Sequence, residues 1–488
     1  MVGFLFLLLF INMSTIIIKS GTTAIAGSTV KGDFSYFSAN TTTDLGPTST
    51  TGLYAGLNAV RNGYSVYQIG GPSGITVRGA ATQEELNSIL ISAGATGTTV
   101  DENITWANNS NSVWINSGST EEVFTYVYYG GDFTTSSGVT NNHMSKWKIG
   151  DSGSTILDPS FNIGSGFNTT VYSIVPDLNG KLMVGGFYGT FSGQGQNRLI
   201  RLNTDGSKDT SFNIGSGFNS TGVFSLEFTP DGKIYVGGFY STFSGVSQNN
   251  LVRLNSDGTK DASFDIGTGF NEDVYALWVD ANGKIYVGGY YISYKGLSQN
   301  HLIRLNSDGT KDAAFNIGTG FDYPDGSPAI YVIKPSLDGK IYVGGSFTTY
   351  KGVSEPFFVK LNTDGSVDTA FNSGGAGFDS DVNTITIDAN GKIYVGGVFT
   401  TYNGTSSPTL IRLNSDGSRD TGFNVGTGCN GAVNSVEIGS DGLIYVGGNF
   451  TTYNGQSVSY NVILNTDGSV NNKKITFNNL INDVYLVL

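Results

Sequence analysis

The sequence predicts an all-β chain dominated by a seven-bladed β-propeller of four-stranded antiparallel blades, on three observations. A Gly-Gly pair closes an apolar strand seven times. Asp-Gly and Asn-Gly turns recur in register with it, and the strands between are rich in Val, Ile and Tyr. The second glycines are Gly131, Gly186, Gly238, Gly289, Gly345, Gly397 and Gly448, spaced by 55, 52, 51, 56, 52 and 51 residues. A repeat of that length sets the architecture before any single residue is weighed.

The copy from Val223 gives the order of elements. A first strand, VFSLEF, meets the turn TPDG; a second, KIYVGG, runs on into FYSTFSG. The loop VSQNN leads to a third strand, LVRLN, and the turn SDG to a short fourth strand ending at Phe264. The link IGTGFN carries the chain onward. A small sheet of this kind cannot bury both faces alone, whereas sheets stacked face to face around an axis can. A β-helix needs shorter coils, and an α-solenoid needs helical periods that are absent here.

First strands begin near Val171, Val223, Val274, Ile330, Val382, Val433 and Val484. The last has no hairpin after it, and the hairpin around Tyr129 has no clean first strand before it. Val484 to Leu488 is therefore expected to pair into the blade that holds Gly130. SVWINS (Ser112 to Ser117) competes for that slot.

Residues 119–488 form the expected propeller, and residues 1–118 a small mixed, mostly β N-terminal attachment domain. Within the latter, TQEELNSILISAG reads as one short helix, capped by Thr82 with Glu85 and stopped at Gly94. Val2 to Ile11 is an apolar run of signal-peptide length, too short to span a bilayer. Residues 1–12 are either signal-like, with a late small-residue site at Ala24-Ile25-Ala26, or an extension upstream of a start at Met13.

Composition excludes several classes of function. The 488 residues carry a net charge of −13 and no basic run, which argues against nucleic acid and against anionic membrane surfaces. The single cysteine, Cys429, excludes a disulfide scaffold and a Cys-based zinc site.

The texts F-N-x-G-x-G-F-N, G-K-I-Y-V-G-G-x-F and L-I-R-L-N-x-D-G-S-x-D resemble the delta-60 repeat family of β-propellers. The resemblance covers about three quarters of the chain and implies the fold, with no catalytic residues to carry over. Cys429 departs from it, standing where other copies have Phe167, Phe218, Phe270, Phe321 and Phe378. MSTIIIKSGT, from Met13, and the run TTGLYAGLNAVRNGYSVYQIGGPSGITVRGAATQEELNSIL resemble N-terminal segments of tailed-phage virion proteins, in which a small domain attaches an outer domain to the particle.

Candidate sites follow. The turns Asn203/Asp205/Asp209, Asn255/Asp257/Asp261 and Asn306/Asp308/Asp312 offer spaced oxygens to Ca²⁺. Hairpin chemistry already explains every one of these residues, and no Glu closes the loop, so no cofactor or metal is expected. Among the aromatic residues after Gly-Gly, such as Phe187, Tyr188, Phe239 and Tyr240, periodicity favours core. Tyr290 and Tyr291 are retained as ligand candidates, with Tyr323 and Asp325 in the insertion DYPDGSP that breaks the repeat. His143 and His301 occupy a loop position that Arg198 and Asn250 fill elsewhere, which suits surface polar residues better than catalysts. Cys429 is expected to be buried.

A non-enzymatic structural or binding protein is thus expected. In one reading it is a virion component whose N-terminal domain contacts other virion proteins, as a homo-oligomer with the propeller facing a host glycan or protein. In the other it is a secreted or cell-surface bacterial propeller that binds glycan or protein.

Overall fold

The computed structural model describes residues 124–487 apart from short gaps at 137, 151–152, 220–221, 325, 373–374, 476 and 479–483, and five strands between 59 and 116. The expected helix at 82–94 and the apolar run near the start lie outside the described residues. Two compact units, Met1–Val123 and Phe124–Leu488, divide the chain.

In the first unit the strands Ala59–Arg61, Tyr64–Gln68, Ser112–Asn116, Ile104–Ala107 and Gly97–Asp101 form one antiparallel sheet, in that order. Ser112–Asn116 is held there between two partners and does not enter the repeat.

The second unit is all-β among the described residues. Gly222–Phe228, Ile234–Phe239 and Leu251–Leu254 make one antiparallel sheet, and five others share this plan. A further sheet has four strands, ordered Thr155–Leu157, Met144–Gly150, Phe124–Gly131 and Val484–Val487. There the C-terminal strand pairs with the N-terminal one, Val484 opposite Gly131 and Val487 opposite Tyr128.

Two features differ from the sequence expectation. The fourth strand shrinks to one residue pair in six copies, as at Leu202 with Lys208 or Leu305 with Lys311. The cause is the Asp that follows: Asp209 Oδ1 accepts the Ser211 N–H at 3.0 Å and its hydroxyl at 2.7 Å, which turns the chain out of the ladder. Likewise the second strand ends at Gly-Gly or one residue past it. The residues beyond it form a separate hairpin, such as Thr242–Phe243 with Val246–Ser247.

Apolar clusters lie between consecutive sheets. One joins Met183 and Leu199 to Val223 and Val236, the next joins Tyr235 and Leu251 to Val274 and Val287. Another joins Tyr445 and Ile463 of the last three-stranded sheet to Val127 and Trp147 of the first, so the packing returns to its start. The first strands lie side by side in a closed succession, with Val484–Val487 between Ala432–Ile438 and Val171–Pro176.

The Gly-Gly pair is what this stacking demands. A Cβ on the first glycine would meet the first strand of the next sheet: from Gly237, Val274 Cγ1 at 2.7 Å, and from Gly288, Ile330 Cγ2 at 2.6 Å. A Cβ on the second would fall on a carbonyl oxygen at the start of its own first strand, Gly222 for Gly238 and Asp273 for Gly289. Gly289→Ala is therefore expected to destabilise the protein by about 2–3 kcal/mol in chemical denaturation, while Gly195→Ala, whose Cβ would meet nothing within 4 Å, stays within about 0.5 kcal/mol.

Candidate functional site: an aromatic and acidic mouth on the ring axis

The second glycine permits a β-bulge. In each three-stranded sheet the register shifts by one residue just after the first strand begins, between Val223 and Ser225 for example. The extra residues are Tyr172, Phe224, Tyr275, Tyr331, Asn383 and Asn434. A bulge re-aims the side chain it carries. Because the first strands are neighbours around the axis, the re-aimed side chains meet one another.

Four of them form an aromatic arc. Ring centroids lie 5.4 Å apart for Tyr172–Phe224, 5.5 Å for Phe224–Tyr275 and 5.8 Å for Tyr275–Tyr331, all tilted or edge-on. All four are half-buried. The arc continues in amides: Asn383 Nδ2 donates to Val433 O and to Asn434 Oδ1, each at 3.2 Å.

Two carboxylates accompany the arc. Asp273 Oδ2 accepts the Tyr275 hydroxyl at 2.7 Å. The Ser346 side chain stands by both Asp381 and Tyr331 and favours the charged form of each. Burial raises both acids above the ordinary Asp value, against the pull of the Tyr275 hydroxyl on Asp273 and of Ser346 on Asp381. Neither makes an ion pair among the described residues.

The rim is set by the residue after Gly-Gly. Phe187 is 40% exposed, Phe239 37%, Tyr290 38% and Val398 41%. The next residue alternates inward, as strand geometry requires. Tyr291 is fully enclosed, and its hydroxyl donates to Val287 O at 2.6 Å, so it belongs to the core and offers a ligand nothing. Tyr290 stays a surface residue. Tyr323 is half-buried against Phe357, ring centroids 6.2 Å apart, and close enough to Tyr331 to act on its hydroxyl. Asp325 lies outside the described residues. The insertion and Tyr290 thus border the mouth, whereas the bulge residues that build it were missed. Their signal was a run of Tyr, Phe, Tyr and Tyr directly after the first apolar residue of the first strands.

Both histidines are buried, His143 at 7% and His301 at 3% exposed, which corrects the surface reading. Each sits at positive φ (67°), and this folds the loop back under the strand ends. His143 Nδ1 lies 3.1 Å from Gly131 O. Burial pushes the His301 imidazole down to about 4, against the pull of the Gly289 carbonyl and Asp322, so it is neutral at pH 7. Cys429 is buried, and its thiol is pushed up to about 12 by desolvation, so it is no nucleophile at neutral pH.

The Asp-Gly turns satisfy their own oxygens. Asp205 Oδ1 accepts Ser207 N–H at 2.9 Å and its hydroxyl at 2.6 Å. Asp209 Oδ2 accepts Arg201 Nε at 2.7 Å and Lys181 Nζ at 2.9 Å. No group of three metal-ligating side chains occurs among the described residues.

Further along the first strands stand Glu227, Lys334 and Glu437, all half-buried. Burial raises the carboxyl of Glu227 to about 7, and it raises Glu437 as well, with Lys334 pulling both down. A separate cleft of about 650 Å³ at the Asp-Gly turns is lined by Trp278, Tyr286, Arg304, Pro335 and Leu337.

Among solved structures, a protein of unknown function from Bacteroides caccae is 14% identical, with 61% of this chain and 92% of that one covered and a TM-score of 0.36. The extracellular domain of a putative hybrid two-component system from B. thetaiotaomicron is 16% identical (67% and 38% covered, TM-score 0.38). PorZ, a surface component of the type-IX secretion system of Porphyromonas gingivalis, is 13% identical (80% and 55%, TM-score 0.38). The chain thus spans only part of the last two proteins. No curated protein sequence matches. Six stretches, 178–212, 229–264, 281–315, 337–371, 389–423 and 439–472, match the family model described as "Domain of unknown function (DUF5122) beta-propeller". With its stacked antiparallel sheets and these matches, the chain is a β-propeller protein, similar over those six stretches to the repeat that this model describes.

Proposed function

We propose that this is a non-catalytic binding propeller of a secreted or cell-surface bacterial protein. The ring has seven blades, closed by the C-terminal strand, and it takes a glycan or protein ligand at the aromatic mouth. The aromatic arc carries this reading. Four neighbouring blades turn half-exposed rings toward one another at the axis, where a packed core has no need of them. Away from the mouth, the repeat keeps its clamp Asp residues paired and its His301 and Cys429 neutral, which favours recognition over chemistry. The particle-borne alternative rests on a sequence likeness in the first unit, whereas the mouth needs no particle to act. Val2 to Ile11 would then be an export signal.

Two measurements test the proposal. Sequencing the N-terminus of the protein from its native cells is expected to find cleavage near Ala26; an uncleaved chain recovered in virions returns the particle reading. On an array of glycans and peptides, the wild-type chain is expected to give hits that Tyr275→Ala/Tyr331→Ala weakens at least tenfold. Hits of equal strength with the double variant would remove the mouth from the account.

A further inference from the structure

The Asp residues that follow the turns are neutralised in pairs of contacts. Asp261 accepts from Lys233 at 2.9 Å and Arg253 at 2.7 Å; Asp312 accepts from Lys284 at 2.8 Å and Arg304 at 2.7 Å. Asp273 and Asp381 are left out of this pattern, although burial disfavours their charge. The chain's own cations near the axis are engaged elsewhere. The Arg198 guanidinium lies over Phe187, 5.2 Å from the ring, and its Nη1 donates to Tyr188 O at 2.9 Å. Lys334 acts at longer range on Glu227 and Glu437 and pairs with neither Asp273 nor Asp381. Beside each unpaired carboxylate stands the ring of Tyr275 or Tyr331, with its electron-rich face.

We propose that the mouth docks a lysine-bearing polypeptide segment, its ammonium groups on Asp273 and Asp381 and its methylene stems along the Tyr275–Tyr331 part of the arc. This rests on reading the mouth as the binding end of the ring and names the class of ligand. Charge complementarity selects the cation, since no Lys or Arg among the described residues pairs with either carboxylate. The rim selects a polypeptide. Phe187, Phe239, Tyr290 and Val398 spread exposed apolar surface over several blades, wider than one sugar needs and suited to flanking apolar side chains.

The probe is an N-acetylated, C-amidated (Lys-Ala)₅ decapeptide carrying fluorescein, titrated with the full chain by fluorescence anisotropy at about 0.15 M salt. Saturable binding is expected, at least tenfold weaker for Asp273→Asn/Asp381→Asn with an unchanged melting temperature. Asp205→Asn/Asp257→Asn, which removes two exposed acids of the turns, is expected to bind as the wild type does. Equal weakening by both pairs would mean diffuse attraction to an acidic chain and would overturn the site. So would wild-type affinity in the mouth variant, or no binding of the peptide. Binding of a glucosamine hexamer through Asp273 and Asp381 in place of the peptide would also overturn it. If array hits still vanish with Tyr275→Ala/Tyr331→Ala while (Lys-Ala)₅ fails, the binding mouth stands and only the ligand class falls.

Discussion

Replacing Arg304 with alanine is expected to destabilise the protein by about 3–5 kcal/mol, the usual cost of breaking a buried ion pair from one side. Arg304 and Asp312 are each less than a tenth exposed, and Nε lies 2.7 Å from Oδ2. The same guanidinium donates to the Tyr286 hydroxyl at 2.9 Å and to Thr363 O of the next repeat at 2.7 Å, and lies over Phe315 at 4.9 Å. One side chain thus ties a strand, a turn and the neighbouring sheet. Denaturant midpoints of Arg304→Ala and of the exposed control Asp205→Ala check this. A loss below about 1 kcal/mol at Arg304 would show that the clamp is ornamental.

The clamps also fix the acid limb of stability. Burial raises these Asp carboxyls, but their Lys, Arg and Ser partners more than reverse it. Asp209, Asp261, Asp312, Asp368 and Asp420 all titrate below the usual range, and Asp158 goes down to about 2. A depressed folded pKa gives stability that is present above the unfolded pKa and lost as pH falls through the folded one. The melting temperature should therefore hold near neutrality and fall from about pH 4 toward pH 2.

Deleting Val484 to Leu488 is expected to lower the melting temperature by about 10 °C or more, or to make the protein self-associate. The deletion strips the partner from Phe124–Gly131, where Tyr128 to Gly131 pair with Val487 to Val484. It also removes the one strand packed between Ala432–Ile438 and Val171–Pro176, leaving Phe124–Gly131 as an unpaired edge beside a gap. A truncated chain that melts and elutes like the full one would contradict ring closure by this strand.

The repeat, its sheets and the pairing of Val484 with the Gly130 strand were legible in the sequence because turn residues and alternation are local signals. The one-pair fourth strand was not, since Asp209 and Asp312 read as turn formers, and only distant Lys181 and Lys284 show them as clamps. Tyr291 and Tyr290 looked alike in sequence, yet pleating separates them into core and rim. The bulge residues escaped for a further reason. Tyr275 directly after Val274 breaks the alternation, and the break has meaning only once Gly289 is seen to make room for the bulge. Tyr275 and Tyr331, 56 residues apart in the chain, become neighbours only when the ring forms.

The most direct test of the account is a crystal structure of the full chain with (Lys-Ala)₅. Peptide density is expected at the mouth, with lysine Nζ atoms within hydrogen-bond distance of Asp273 and Asp381 and methylenes on Tyr275 and Tyr331. Peptide density confined to the Trp278 cleft, with the mouth holding only solvent, would contradict it.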